Sequence, residues 1–342
     1  MKKISSLYRT LAVAALALGG AVGTASASST VFQVAGTPSK TELASSANPS
    51  VVGQTVTFTA TVTDDPDDAT AGVGTPAGTV DFVEEGTIVC DDVALDLSGQ
   101  AICERTYSSV ATRSVAASYS GDTAYAPSSS AALSQVVQQA GSKTTLSSSD
   151  ADNQTVSGQS VTYTATVSPV SPGSQPTGGT VTFTDGGANI SGCVSKSLSS
   201  AQATCATAFK AGTHSVVARY SGTSDYRGSA SSAITQAVAK ASTHTALTSS
   251  DSDNKTVSGQ SVTFTARISV VSPASGTPGG TVTFKDGGNT IGGCGAKALS
   301  SGVAICSAKL TVGSGTHSIT AAYSGDANDL TSVSNAISHT VV

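Results

Sequence analysis

The chain has no tryptophan, a single methionine and only 4% aromatic residues, and charged side chains make up 11% of its 342 residues. Apolar residues at the helical spacing i, i+3, i+4 are hard to find beyond the first thirty residues, which argues against a helical fold. The four histidines stand outside any HExxH motif, and no GxSxG or glycine-rich phosphate loop is present. We therefore expect an all-β protein that is not an enzyme.

The chain also has no excess of positive charge, since it contains 17 basic and 22 acidic residues. At the N-terminus, Lys2, Lys3 and Arg9 precede an apolar run and a stretch of small residues that ends at Ala27. This pattern predicts a secretory signal peptide over residues 1–27. The alternative, a membrane anchor, needs about 20 apolar residues and the run is shorter. Cleavage takes the net charge from −5 to −8, which disfavours nucleic acid and membrane partners.

A sequence repeat of about a hundred residues occurs three times along the chain. It predicts domains at 39–139, 140–239 and 240–342, after a strand-like segment at 28–38. Runs such as TVTFTAT alternate apolar and polar residues, as strands do. In the second copy seven strands are predicted, at 143–148, 159–167, 179–184, 190–196, 203–209, 214–220 and 233–238. Alternate residues should form the core: Val161, Tyr163, Ala165, Val167, Val181, Phe183, Val216, Ala218 and Tyr220. Seven short strands indicate an immunoglobulin-like (Ig-like) β-sandwich.

Every copy carries two cysteines at the same place, which predicts one disulfide in each domain: Cys90–Cys103, Cys193–Cys205 and Cys294–Cys306. Each bond should contribute about 3 kcal/mol by restricting the unfolded chain. Metal binding or redox chemistry is the alternative, but CxxC spacing and nearby histidines are missing. The Ser- and Gly-containing turn between the cysteines predicts a bond across a hairpin, with a bulge at Asp91 and Asp92 in the first copy. Disulfides place the protein in an oxidising compartment.

The repeated segments GQxVTFTAxV, GTVxFxDG and GTHSxxAxYSG resemble bacterial Ig-like domains of the group 3 type. The resemblance covers essentially the whole chain after the predicted signal peptide, three times. It implies a secreted or surface spacer or adhesion module without catalytic residues. The first copy departs from the pattern at Glu84 to Gly86, and at Arg113, where the later copies have His214 and His317.

Acidic residues cluster in one loop of the first copy, at Asp64, Asp65, Asp67 and Asp68. In an Ig-like domain this loop shares an end with the loop that carries Asp122 and Tyr125, and that end points away from the second domain. We name these six residues the acidic tip. It is predicted to bind a cation or a basic partner. A solvated turn without a ligand explains the same residues.

A second acidic pattern recurs in the later copies, at Asp150, Asp152 and Asn153 and at Asp251, Asp253 and Asn254. We expect these turns at the C-terminal end of their domains, where they would face carboxylates of the next domain such as Asp326. Oxygen ligands from two domains could then hold calcium, the one cofactor that the sequence suggests. The same residues are also ordinary turn formers.

The linkers between copies have only a few residues, which predicts a semi-rigid array. The segment 28–38 resembles the closing strand of a copy, so it is either an extra edge strand or a strand that pairs with another molecule in self-association. We expect a non-catalytic spacer, adhesion or assembly module that is secreted or at the cell surface, with the periplasm as a further location. Its partner would be an extracellular protein or glycan. The alternative is a carbohydrate-binding accessory module that acts beside a separate enzyme.

Overall fold

The computed structural model describes residues 36–67, 74–310 and 315–342. The predicted signal peptide, most of the 28–38 segment and Asp68 lie outside the described residues. Within the described ranges every regular element is a β-strand, as the alternating sequence pattern predicts.

Each repeat contributes nine or ten strands. In the first they are β1 (Ser39–Ser45), β2 (Ser50–Val51), β3 (Thr55–Asp64), β4 (Thr79–Glu84), β5 (Thr87–Ala94), β6 (Gln100–Thr106), β7 (Ala111–Tyr119), β8 (Ser128–Ser129) and β9 (Leu133–Gln138). In the second they are β10 (Ser142–Ser148), β11 (Gln154–Val156), β12 (Ser160–Pro169), β13 (Thr180–Asp185), β14 (Ala188–Asn189), β15 (Lys196–Ser197), β16 (Gln202–Ala208), β17 (Gly212–Tyr220), β18 (Ser229–Ala230) and β19 (Ile234–Ala239). In the third they are β20 (Thr243–Ser249), β21 (Lys255–Thr256), β22 (Ser261–Val270), β23 (Thr281–Asp286), β24 (Asn289–Thr290), β25 (Lys297–Ala298), β26 (Val303–Lys309), β27 (Thr316–Tyr323), β28 (Ser332–Val333) and β29 (Ile337–Val341).

Each repeat folds into two sheets with one core between them. In the first, the smaller sheet has the order β1-β3-β6 and the larger has the order β2-β9-β7-β4-β5. The same orders recur as β10-β12-β16 with β11-β19-β17-β13-β14, and as β20-β22-β26 with β21-β29-β27-β23-β24. The short strands β2, β11 and β21 pair in parallel, each with the closing strand of its domain. This arrangement confirms three tandem Ig-like β-sandwiches.

The predicted core of the second domain is confirmed. The nine core residues named above are at most 3% exposed. Because side chains alternate between the two faces of a strand, β12 supplies one wall of the core and β13 and β17 supply the other. Full burial of each large apolar side chain stabilises the fold by about 1.5–3 kcal/mol.

One core position on the closing strand is polar in all three domains. Gln135, Gln236 and His339 are each 0% exposed. Gln236 accepts a hydrogen bond from the Tyr163 hydroxyl at 3.0 Å and donates to Asp150 at 3.0 Å. Such bonds are needed because an unpaired buried polar group is costly. The closing strand is therefore held by side-chain hydrogen bonds as well as by its sheet.

The three predicted disulfides are confirmed, but the hairpin prediction is wrong. Cys90 lies on β5, which pairs with β4 in the larger sheet. Cys103 lies on β6, which pairs with β3 in the smaller sheet. The turn between the cysteines reverses the chain and also carries it from one sheet to the other. Each disulfide therefore ties the two sheets together.

The fourth predicted strand of the second domain, 190–196, is also wrong. Two short strands, β14 and β15, flank a turn in which the Cys193 N–H donates to the Ile190 carbonyl at 3.0 Å. Ser195 has a φ of 51°, which a regular strand does not accommodate. The bulge predicted at Asp91 and Asp92 is confirmed, because the register between β4 and β5 shifts there and Asp92 has a φ of 50°.

Candidate functional site

The structure brings Asp64, Asp122 and Tyr125 together at one end of the first domain. Asp64 is the last residue of β3, and Tyr125 lies in the loop between β7 and β8. The Tyr125 ring is buried, and its hydroxyl donates to the carbonyl of Gly74. A hydrogen bond with Asp64 and burial raise the pKa of Tyr125 to about 12. This tyrosine therefore anchors the loop of the acidic tip.

Asp122 organises the backbone of the tip. Its carboxylate accepts hydrogen bonds from the N–H groups of Ala77 (2.8 Å), Ala124 (2.7 Å) and Tyr125 (2.7 Å). Burial opposes ionisation, but these three donors outweigh it and lower the pKa of Asp122. Asp65 accepts from the N–H of Asp67 at 3.1 Å, and the Asp67 side chain is exposed. Asp122 thus fixes the loop between β7 and β8, and Asp67 presents its carboxyl group at the surface.

A second acidic group lies beside the first disulfide. Ligand atoms of Asp81, Asp91 and Asp92 all lie within 4.8 Å of one another. The charge of Asp92, followed by burial and the charge of Asp81, raises the pKa of Asp91. This group depends on the bulge in β5, which turns Asp92 back towards β4 so that its N–H donates to Asp81 at 2.8 Å. Sequence spacing alone does not reveal it.

The recurring acidic turns occupy a different place from the predicted one. Gln154 pairs with Ala237 and Val156 with Ala239, so the turn that precedes β11 lies short of the C-terminal end of the second domain. Asp150 accepts from Gln236, and Asp152 accepts from the N–H of Gln154 at 3.2 Å. The turn at Asp251, Asp253 and Asn254 repeats this geometry before β21: Asp253 accepts from the N–H of Lys255 at 3.2 Å, and Asn254 has a φ of 55°. These turns carry the chain from the smaller to the larger sheet.

The junction between the first and second domains is built from hydrogen bonds. Ala140 of the linker donates to the Asp225 carbonyl and accepts from the N–H of Arg227, both at 2.9 Å. The Asp225 carboxylate accepts from the N–H of Val110, in the first domain, at 2.8 Å. The N–H of Ser174 donates to the carbonyl of Val52 at 3.2 Å.

The junction between the second and third domains repeats this plan. Ala241 donates to the Asn328 carbonyl and accepts from the N–H of Leu330, both at 2.8 Å. The Asn328 side chain accepts from the N–H of Ala211 at 3.2 Å, and Ser275 donates to the carbonyl of Gly158. In the first domain the backbone of Thr37 is hydrogen-bonded to the loop between β7 and β8, as the backbones of the linker alanines are to the equivalent loops. The position that Asp225 and Asn328 occupy in those loops is occupied by Ala124 in the first domain. The tip therefore lacks the side chain that joins one domain to the one before it.

A basic side chain and a carboxyl group pair at the same place in every domain. The closest nitrogen–oxygen distances are 3.4, 2.7 and 2.6 Å for Glu84–Arg113, Asp185–His214 and Asp286–His317. Glu84 and Arg113, the two positions at which the first copy departs from the repeat, therefore compensate each other. The second ring nitrogen of His214 lies 3.0 Å from the Lys210 carbonyl, so both nitrogens are engaged and neither is left to activate a nucleophile.

Comparison with known proteins identifies the repeats. The family model for the bacterial Ig-like domain (group 3) matches residues 43–138, 146–239 and 247–342. No curated protein matches the chain. Within the described residues, no helix is long and apolar enough to cross a membrane.

The chain is also similar to several solved structures. The Escherichia coli adhesin FdeC is 16% identical over 88% of this chain and 96% of its own, with a TM-score of 0.28. The Yersinia pseudotuberculosis adhesin InvE is 16% identical over 57% of this chain and 58% of its own, with a TM-score of 0.26. Domains 1–5 of Sidekick-1 are 13% identical over 89% of this chain and 59% of their own, with a TM-score of 0.34. These values are too low to support a functional argument.

Proposed function

The chain belongs to the bacterial Ig-like domain (group 3) family, and we propose that it acts outside the cell as a non-catalytic spacer that presents the acidic tip to a basic partner. The observation that carries this proposal is the repetition of one junction plan between successive domains. Backbone and side-chain hydrogen bonds at each junction oppose free rotation of one domain against the next. A spacer needs this property, because it must hold its binding end at a distance.

Three equivalent glycines allow the fixed junctions to be tested. Gly53, Gly158 and Gly259 have φ of 80°, 77° and 82°. A Cβ at Gly53 would lie 2.2 Å from the Ser174 side chain, and one at Gly158 would lie 1.9 Å from the Ser275 carbonyl. At Gly259 the described residues place nothing within 4 Å. All three alanine substitutions incur the same backbone strain, but only the first two also push against the next domain.

Small-angle X-ray scattering of the three alanine variants should separate these effects. Gly53→Ala and Gly158→Ala should alter the maximum dimension and the distance distribution, whereas Gly259→Ala should scatter as the parent does. If all three variants scatter like the parent, the junctions do not set the arrangement of the domains and the spacer proposal fails.

The binding role of the acidic tip needs its own test. Replacing Asp65 and Asp67 with asparagine removes two exposed or half-exposed charges and keeps the turn-forming residue type. We expect weaker, less salt-dependent binding to a cationic peptide or protein, because attraction between exposed charges is screened by salt. Asp91→Asn, in the other acidic group, is the matched control. Equal binding by the tip variant and this control would remove the tip from the proposal.

The carbohydrate-binding alternative has less support. Every described aromatic ring except that of Phe209 is buried, and Phe209 is half-buried and stacks on His214 at 4.2 Å. The described surface therefore lacks a fully exposed ring on which a sugar could stack. A glycan array probed with the mature protein tests this directly, and specific binding there would reverse the preference.

A further inference from the structure

One buried glutamine of the second domain has the groups of an acyl-transfer reaction around it. Gln236, on β19, is 0% exposed. The Tyr163 hydroxyl donates to its amide oxygen at 3.0 Å. Its amide nitrogen lies 3.2 Å from the Thr155 hydroxyl oxygen and 3.0 Å from a carboxylate oxygen of Asp150. An amide carbonyl, a hydroxyl nucleophile, a carboxylate and a donor to the carbonyl oxygen therefore meet at one place.

The Thr155 hydroxyl is close to the amide carbon of Gln236. The amide C–N bond is about 1.33 Å long, so an oxygen that accepts from the N–H at 3.2 Å lies about 4 Å from that carbon. Reacting atoms must approach to about 3–3.5 Å. A movement of about 1 Å or less by the Thr155 side chain therefore brings its oxygen into position to attack.

The surroundings of these groups favour an ester once it has formed. The side chains of Tyr163 and Thr155 are buried, so water is excluded from the amide carbon. An ester at this place is thus protected from hydrolysis. Asp150, beside the amide nitrogen, is half-buried. Ammonia released next to it has a short way to the solvent, where dilution makes the reverse reaction slow.

The first and third domains each lack part of this set. In the first, the Gln135 nitrogen lies 3.2 Å from the Ser50 hydroxyl, but its other acceptor is the backbone carbonyl of Ala47, at 2.8 Å. A carbonyl oxygen does not take up a proton as a carboxylate does. In the third domain, His339 replaces the glutamine, so there is no amide to attack.

The donor to the amide oxygen is also confined to the second domain. Phe58 and Phe264 occupy the position of Tyr163 in the other two copies. A buried hydroxyl is costly without a partner, and the Tyr163 hydroxyl finds its partner in Gln236. The nucleophile, the amide, the carboxylate and this donor therefore occur together in one copy of the repeat.

We propose that Thr155 and Gln236 form an ester cross-link inside the second domain. The Thr155 oxygen bonds to the amide carbon of Gln236, and the bond from that carbon to the nitrogen breaks. Asp150 takes up the hydroxyl proton and delivers it to the nitrogen, which leaves as ammonia. The Tyr163 hydroxyl stabilises the negative charge that develops on the carbonyl oxygen. Nothing is oxidised or reduced, no further reactant is needed, and each chain reacts once.

The cross-link would join the two ends of the second domain. Thr155 lies on β11, which follows the first strand of the domain, and Gln236 lies on β19, which leads into the linker to the third domain. The two residues are 81 positions apart. A pull on the two linkers would pass through the ester and bypass the chain between these residues. The domain would then resist unravelling under tension.

Mass spectrometry of the full chain with its disulfides reduced tests the proposal. The parent should be about 17 Da lighter than its sequence, which is the mass of one ammonia. Thr155→Val and Asp150→Asn should have the full mass of their sequences. Tyr163→Phe, which installs the residue of the other two domains, should slow formation of the bond at least about tenfold. Ser50→Ala, at the equivalent contact of the first domain, is the matched control and should show the same deficit as the parent.

A digest of the parent decides the question even if a variant folds poorly. Trypsin should release residues 144–196 joined to residues 228–240, because no lysine or arginine lies inside either peptide. Alkaline hydroxylamine should separate the two peptides, since it cleaves esters and spares amides. Full mass in the parent would overturn the proposal, and so would a deficit that Thr155→Val retains or that maps to other residues. Each of these results leaves the acidic tip and the spacer role untouched.

Discussion

Replacing Glu84 with glutamine should destabilise the first domain far more than its neighbours. Glu84 is 8% exposed, and its carboxylate lies 3.6 Å from Arg105, 3.4 Å from Arg113 and 3.1 Å from the Tyr107 hydroxyl. The Nε atoms of both arginines are buried without a hydrogen-bond partner among the described residues. Glutamine keeps the size and one acceptor, but it leaves two cations without a counter-charge.

The magnitude follows from the burial of the three side chains. Breaking a buried ion pair costs about 3–5 kcal/mol. The arginine side chains are 34% and 24% exposed, so water compensates part of the lost charge. We therefore expect Glu84→Gln to lower the free energy of unfolding by about 2–3 kcal/mol. Asp185→Asn is the matched variant in the second domain, where the carboxylate is 29% exposed and pairs with one histidine. It should cost about 1 kcal/mol.

Amide hydrogen exchange followed by mass spectrometry resolves this domain by domain. A loss of 2–3 kcal/mol should speed exchange in β4 and β7 about 30- to 140-fold, since 1.4 kcal/mol corresponds to tenfold. Peptides from the second and third domains are the internal control and should not change. Unchanged or slower exchange in β4 and β7 would show that the charge of Glu84 does not stabilise the domain, and the reasoning would be refuted.

Two further predictions concern single domains. Burial, the leading cause, lowers the pKa of His339, so the unfolded chain binds the proton more readily and the third domain should lose stability as the pH falls through about 6.5 towards the folded pKa. His339→Gln, which installs the residue found at Gln236, should flatten this dependence in urea unfolding at pH 7.5 and 5, and an unchanged dependence would count against burial as its cause. Replacing Cys193 and Cys205 with alanine should lower the free energy of unfolding of the second domain by about 3 kcal/mol. Urea unfolding measures this loss, and a double variant as stable as the parent would mean that tying the sheets together contributes nothing.

The sequence predicts which side chains share a face of a strand better than it predicts which strands pair with one another. Alternation along β12 correctly selected the core side chains, because the period of two fixes which residues share a face. It does not show which strand lies alongside, and the hairpin prediction for the segments of β5 and β6 is wrong because these strands belong to different sheets. The strand predicted at 190–196 failed for a local reason: a turn around Cys193 interrupts the pattern.

Contacts between distant parts of the chain account for the rest of the difference. Glu84 and Arg113 both break the repeat pattern, and only the pairing of β4 with β7 shows that one change compensates the other. The change from Tyr226 to Asp329 is visible in the sequence, but the sequence does not show that Asp329 is buried. Sequence comparison of the copies thus finds the variable positions, and packing decides which of them matter.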